Sequence, residues 1–174
     1  WGELTESCHQ VQGKDCLTLQ LKQYEGLTVN TAGFMSGWGG GVLESDGTTP
    51  AVDSAASKEG LQELVKGYKD GVIAKSSTSA TEEETNLAFV EGKTAYAVNW
   101  PYMYANATKE GSAVAGKVEV QPLVGKDGVG VSTLGGYNNG ISAFSKHKGT
   151  AHDFVEFVIN EENQTSFADN SFPP

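Results

Sequence analysis

The sequence predicts an α/β chain in which helices alternate with short strands, and three stretches carry that prediction. Residues 53–71 place Ala56, Leu61, Leu64, Val65 and Tyr68 at helical spacing behind the capping residues Asp53 and Ser54. Leu17, Leu19 and Leu21 alternate with polar residues, the two-residue period of a strand. Between residues 81 and 109 a helix, a glycine, an apolar strand and a second helix follow one another, and the strand runs into Asn99-Trp100-Pro101-Tyr102.

In chain order, residues 2–12 are the first expected helix, with Leu4, Cys8 and Val11 on one face. The leucine-alternating strand follows. Tyr24, Leu27, Ala32 and Phe34 then fit a helical face loosely, with Val29 off it, and the glycine run around Trp38 ends the helix. Residues 44–50, rich in Asp, Gly and Thr, are a loop; the helix of residues 53–71 closes at Gly71, and residues 76–79 are a polar loop. Thr81-Glu82-Glu83-Glu84 matches a capping box and opens a helix to Glu91. Three carboxylates in a first turn complement the helix dipole, so their expected role is a solvated cap. Pro101 suits the first turn of a helix reaching Lys109 and stopped by Gly111. Residues 118–121 and 141–144 are expected strands, separated by glycine-rich turns. Thr150 caps a helix burying Phe154, Val155, Val158 and Ile159; a short helix over 161–168 follows, and Ser171-Phe172-Pro173-Pro174 stops the chain.

A chain of 174 residues is long enough for one ordinary domain, burying about 70% of its unfolded surface. It opens at Trp1 with neither methionine nor an apolar leader, so processing or truncation upstream is expected. No apolar run approaches the roughly 20 residues of a membrane span. Twelve Lys plus Arg against 22 Asp plus Glu give a net charge of -10, which argues against nucleic acid and against an anionic membrane surface as partners.

Enzymatic signatures are missing. Cys8 and Cys16 lack zinc-site spacing, and His9, His147 and His152 are scattered, so neither a metal nor a cofactor is expected. The two cysteines are either a disulfide, if the chain is exported, or two free thiols. Ser132 and Ser142 lack the glycines of a nucleophile elbow. The turn at residues 125–130 lacks the Lys-Ser/Thr that ends a phosphate loop. What remains is a set of rings near glycines or at element ends: Tyr24, Trp38, Trp100, Tyr102 and Tyr137. A pyranose offers an apolar face to such a plane and a rim of hydroxyls to amides and carboxylates, so a sugar is the best-matched ligand.

Gln23-Tyr24-Glu25-Gly26-Leu27, the glycine run with Asp46-Gly47, Phe89-x-x-Gly92-Lys93-x-Ala95, Asn99-Trp100-Pro101-Tyr102, Leu134-Gly135-Gly136 and Ile141-Ser142 occur in an order that resembles the extracytoplasmic sugar-binding proteins of ABC importers. The similarity is greatest to the maltose- and trehalose-binding types. The resemblance implies a periplasmic-binding-protein-like fold of two α/β lobes, of which this chain matches a part: residues 1–117 resemble part of the second lobe, 118–122 a hinge crossing, and 123–174 the returning part of the first lobe. The first-lobe half that precedes these segments in the family, and its C-terminal part, are expected to lie outside the chain. The resemblance further implies a non-catalytic receptor in the periplasm or at the cell surface, with or without a lipid anchor, that delivers its sugar to a membrane permease. By position, Trp100 and Tyr102 resemble the family's stacking aromatics, Tyr24 and Glu25 a second-lobe contact, and Gly135, Gly136 and Tyr137 the first-lobe wall. Trp38 either touches ligand or packs under the glycine run.

The rival reading is a glycan-acting hydrolase pairing Glu25 with Asp46 or Glu82, which requires two carboxyls about 5 to 10 Å apart across a cleft.

Overall fold

The computed structural model describes residues 1–170, so the expected stop at Ser171-Phe172-Pro173-Pro174 lies outside the described residues. The elements are α1 (Gly2–Cys8), β1 (Asp15–Thr18), α2 (Glu25–Gly37), α3 (Ala55–Lys69), a 3-10 turn (Lys75–Ser79), α4 (Glu82–Val90), β2 (Thr94–Ala97), α5 (Tyr102–Thr108), α6 (Lys148–Ile159) and α7 (Glu161–Asp169).

The two strands pair in parallel, Leu17 opposite Tyr96, and Leu17 also bridges Ile73. Because β1 lies between two parallel neighbours and under helices, Cys16, Leu17, Thr18, Leu19 and Gln20 are all buried. The alternation read from the leucines therefore does not divide inside from outside. Leu17, Leu19, Leu64 and Ile73 form the core, with Trp1, Leu4, Leu21, Phe34, Tyr68 and Val98 packed against it. Helix α2 lies on α3 so closely that a Cβ at Gly60 would collide with the carbonyl of Phe34.

Several expectations change at the edges. Helix α1 stops at Cys8, where a disulfide to Cys16 ties it to β1 across 5.4 Å between Cα atoms. Closing so short a loop stabilises by about 2.5 kcal/mol in the loop-entropy account. The polar stretch at 76–79 is a 3-10 turn rather than a loop. Leu61 and Val65 stay exposed, because Leu64 occupies the centre of the buried face of α3. Residues 118–121 and 141–144 do not form strands: among the described residues no neighbour is hydrogen-bonded alongside them, and an unpaired strand has no ladder. Helix α6 begins at Lys148 with His147 as its N-cap, so Thr150 does not cap it, and it buries none of its residues; Phe154 and Ile159 stand in solvent. No helix among the described residues is long and apolar enough to cross a membrane.

Candidate functional site

A buried polar network ties together the ends of four elements. Asn30 of α2 donates through Nδ2 to the carbonyls of Gln20, at 3.0 Å, and Gly26, at 2.9 Å. Gln20 donates through Nε2 to the Val98 carbonyl and to Thr85 Oγ1, both at 2.7 Å. Asn99 donates through Nδ2 to Thr85 Oγ1 at 2.9 Å and to the Glu82 carbonyl at 3.0 Å, while its Oδ1 accepts from the Trp100 backbone N–H at 2.7 Å. Gln20, Asn30 and Thr85 are fully enclosed, and their bonds satisfy groups that would be costly to bury alone. The network fixes the start of α2, the chain leaving β1, the first turn of α4 and the chain leaving β2 relative to one another.

Onto that base the sequence loads one ring or carboxylate per element end. Tyr24 is the N-cap of α2, Glu82 opens α4, and Trp100 and Tyr102 flank Pro101 at the start of α5. All four are half-buried. Trp100 donates its indole Nε1–H to Glu82 Oε1 at 3.3 Å. The Tyr24 ring folds over the first turn of its own helix, where a Cβ at Gly26 would collide with the hydroxyl, so only glycine leaves the ring room. The hydroxyl oxygens of Tyr24 and Tyr102 are buried without a hydrogen-bond partner among the described residues. Burial first, and then the Glu82 carboxylate beside it, hold the Tyr24 phenol protonated far above its ordinary range; Glu82 is close enough to act on it, although the pair does not close a normal hydrogen bond. Burial also raises Tyr102, followed by the charges of Glu83 and Glu82, with Asn99 acting in the opposite direction. Glu82 thus accepts from the Trp100 ring and its charge bears on both phenols, with Glu83 acting more strongly at Tyr102.

The remaining expected site residues divide. Gly135 runs past the Trp100 ring, where an added Cβ would sit 3.5 Å from it. Gly136 and Tyr137 are fully exposed, and Tyr137 lies near enough to Tyr102 to influence its hydroxyl. Glu25 is exposed in the first turn of α2. Trp38 is buried, stacked on Phe34 at 5.5 Å and 13° and set edge-on to Trp1 at 6.2 Å, so its ring packs against the interior of this chain. Asp46 is taken up by its own turn: Oδ1 accepts from the Thr48 and Thr49 N–H groups at 2.8 Å and Oδ2 from the Thr49 hydroxyl at 2.6 Å, which together hold its carboxyl well below the usual range. His152, Asp153 and Glu156 converge on an exposed face of α6.

Sequence reasoning sees the amide and rings of Asn99-Trp100-Pro101-Tyr102 and weighs Glu82 as a cap or as a hydrolase carboxylate, but misses its contact with Trp100. The box itself forms as expected, but Glu84 closes it, leaving Glu82 free to turn towards Trp100.

Such an arrangement, flat rings around a carboxylate on a rigid base, suits recognition. The chain matches, over residues 1–174, the family described as bacterial extracellular solute-binding protein. It belongs to that family. A probable ABC transporter-binding protein of Deinococcus radiodurans is 31% identical over 173 residues, a match covering 94% of this chain and 41% of the relative. Maltose-bound MalE3 of T. maritima superposes with a TM-score of 0.92 and 30% identity, covering 100% of this chain and 46% of that one. A Thermotoga lettingae ABC transporter solute-binding protein bound with α-D-tagatose superposes with a TM-score of 0.86 at 20% identity, covering 45% of its chain. The family member described here therefore has the periplasmic-binding-protein-like fold and spans less than half the length of these relatives. Solute-binding proteins of this family are not enzymes, and the hydrolase reading loses its support.

Proposed function

We propose that this chain supplies much of the cleft of a non-catalytic sugar receptor that binds a di- or oligosaccharide of the maltose or trehalose type and delivers it to an ABC transporter permease. The observation that carries the reading is the set of half-buried rings Tyr24, Trp100 and Tyr102 at element ends held together by one polar network, with Glu82 accepting from the Trp100 indole. Rings of this kind take the C–H face of a pyranose, and the carboxylate accepts from its hydroxyls. The 30% identity to a maltose-bound protein over the whole chain supports the same ligand class.

In this reading residues 1–117 are part of the second lobe, 118–122 the hinge crossing and 123–174 the returning part of the first lobe. Tyr24, Glu25, Trp100 and Tyr102 line one wall, and Gly135, Gly136 and Tyr137 the other. Trp38 supports the wall from within. Closure about the hinge brings both walls onto the sugar. The receptor works outside the cytoplasm, in the periplasm or held at the cell surface by a lipid anchor.

Calorimetric titration of the full-length protein with maltose, trehalose and longer glucans tests this. Saturable heat with at least one of them, without release of glucose, is expected; no heat with any of them overturns the reading, and turnover overturns its non-catalytic part.

A further inference from the structure

Glu82 has one oxygen in use and one to spare. Oε1 accepts from the Trp100 indole, whereas Oε2 accepts no hydrogen bond from the described residues. A carboxylate can only accept, so the spare oxygen requires a ligand group that donates. A sugar hydroxyl does; an ionised carboxylate or a fully deprotonated phosphate does not. The Tyr24 and Tyr102 hydroxyls, buried and without a hydrogen-bond partner among the described residues, are neutral and bring no positive charge to compensate an anion. The charged side chains that bear on these hydroxyls are Glu82, Glu25 and Glu84 at Tyr24, and Glu83 and Glu82 at Tyr102. Lys22 faces Glu84.

We infer that Glu82 makes the site beside Trp100 selective for uncharged polyhydroxylated ligands over their anionic counterparts, by accepting a ligand hydroxyl on its spare oxygen and repelling an acid placed there. The inference rests on the sugar-binding reading and adds to it the residue that sets the charge of the ligand. Two like charges within contact distance at a half-buried site separate the two ligand classes by roughly tenfold or more in affinity.

The test uses the full-length protein and its Glu82→Gln variant, which keeps shape and an acceptor oxygen while removing the charge. Both are titrated with maltose, or with trehalose if that is the sugar that binds. They are then titrated with two anionic counterparts, one oxidised to a carboxylate at each end where the chemistry of the sugar allows. The parent is expected to prefer the neutral sugar at least tenfold. Glu82→Gln is expected to weaken the neutral sugar severalfold, because one amide oxygen cannot replace two carboxylate oxygens, and to weaken the anionic counterparts less or not at all, so that the preference shrinks severalfold. Equal loss of neutral and anionic binding in the variant would make Glu82 a merely structural residue and overturn the inference, as would an unchanged ratio or a parent that does not discriminate. Failure of every neutral sugar to bind the parent overturns the sugar reading as well, so the two failures are distinguishable.

Discussion

At Trp100 two contributions coincide, a ring plane and an indole N–H held by Glu82 at 3.3 Å. Neither it nor Tyr102 belongs to the buried core of Leu17, Leu19, Leu64 and Ile73. Trp100→Ala or Tyr102→Ala should therefore weaken sugar binding of the full-length protein by about 1–3 kcal/mol while moving the melting temperature little. Parent-like binding in both variants, or loss that only tracks unfolding, would contradict this. The phenols give a second measurement. Tyr24 in the folded chain ionises far above its ordinary value of 10.0, from burial and then Glu82. A folded-state value raised above the unfolded one gives stability that is fully present below the unfolded pKa and is lost as pH rises through the folded value, so the window is alkaline. Absorbance titration of the six tyrosines should show a late phase that Tyr24→Phe reduces, with Tyr102 contributing the remainder. A late phase unchanged in that variant would place the perturbed phenol elsewhere.

At the scale of elements, sequence was most readable where a local signal fixes the backbone. The capping box forms at Thr81 and Glu84 because both partners lie within one turn, and Ser54 caps α3 through its own hydroxyl. It was least readable where a residue's surroundings come from distant segments. Thr18 and Gln20 look like the outward positions of a strand, yet they are enclosed, and Gln20 belongs to a polar network completed by Asn30, Thr85 and Asn99 from remote parts of the chain. Nothing local in the sequence announces such partners. Thr85 is the node where two amide donors meet, so Thr85→Ala should destabilise by about 1–3 kcal/mol in urea unfolding and weaken sugar binding as Glu82 and Trp100 lose their common anchor. Thr85→Ser should restore most of both. Parent-like stability in the alanine variant would show that the network carries little energy.

Across the whole molecule, order is distributed unevenly between the body around β1 and the segment behind α5. Leu17, Ile73 and Thr94 are almost completely buried and cross-linked, with the Leu17 N–H donating to Val72 at 3.1 Å and the Ala74 N–H to Leu17 at 2.8 Å. Residues 131–140 are exposed throughout, Leu134 and Tyr137 included, even though they carry the expected second wall of the cleft. Gly135, Gly136 and Tyr137 are legible as a sequence motif, whereas the strand expected at 141–144 does not form, because an apolar residue without packing partners has no face to choose. Segments with few buried contacts open at low free energy, and binding walls are drawn from them. Hydrogen exchange should therefore find the amides of residues 131–140 nearly unprotected in the 174-residue chain, against slow exchange at Leu17, Ile73 and Ala74. In the full-length protein, saturating sugar should slow exchange at 135–137 selectively, because a closing cleft buries that wall against the ligand and the rings of Trp100 and Tyr102. Uniform protection along this chain would contradict the unevenness, and sugar binding without any change at 135–137 would remove these residues from the binding wall while leaving Tyr24, Trp100 and Tyr102 in theirs.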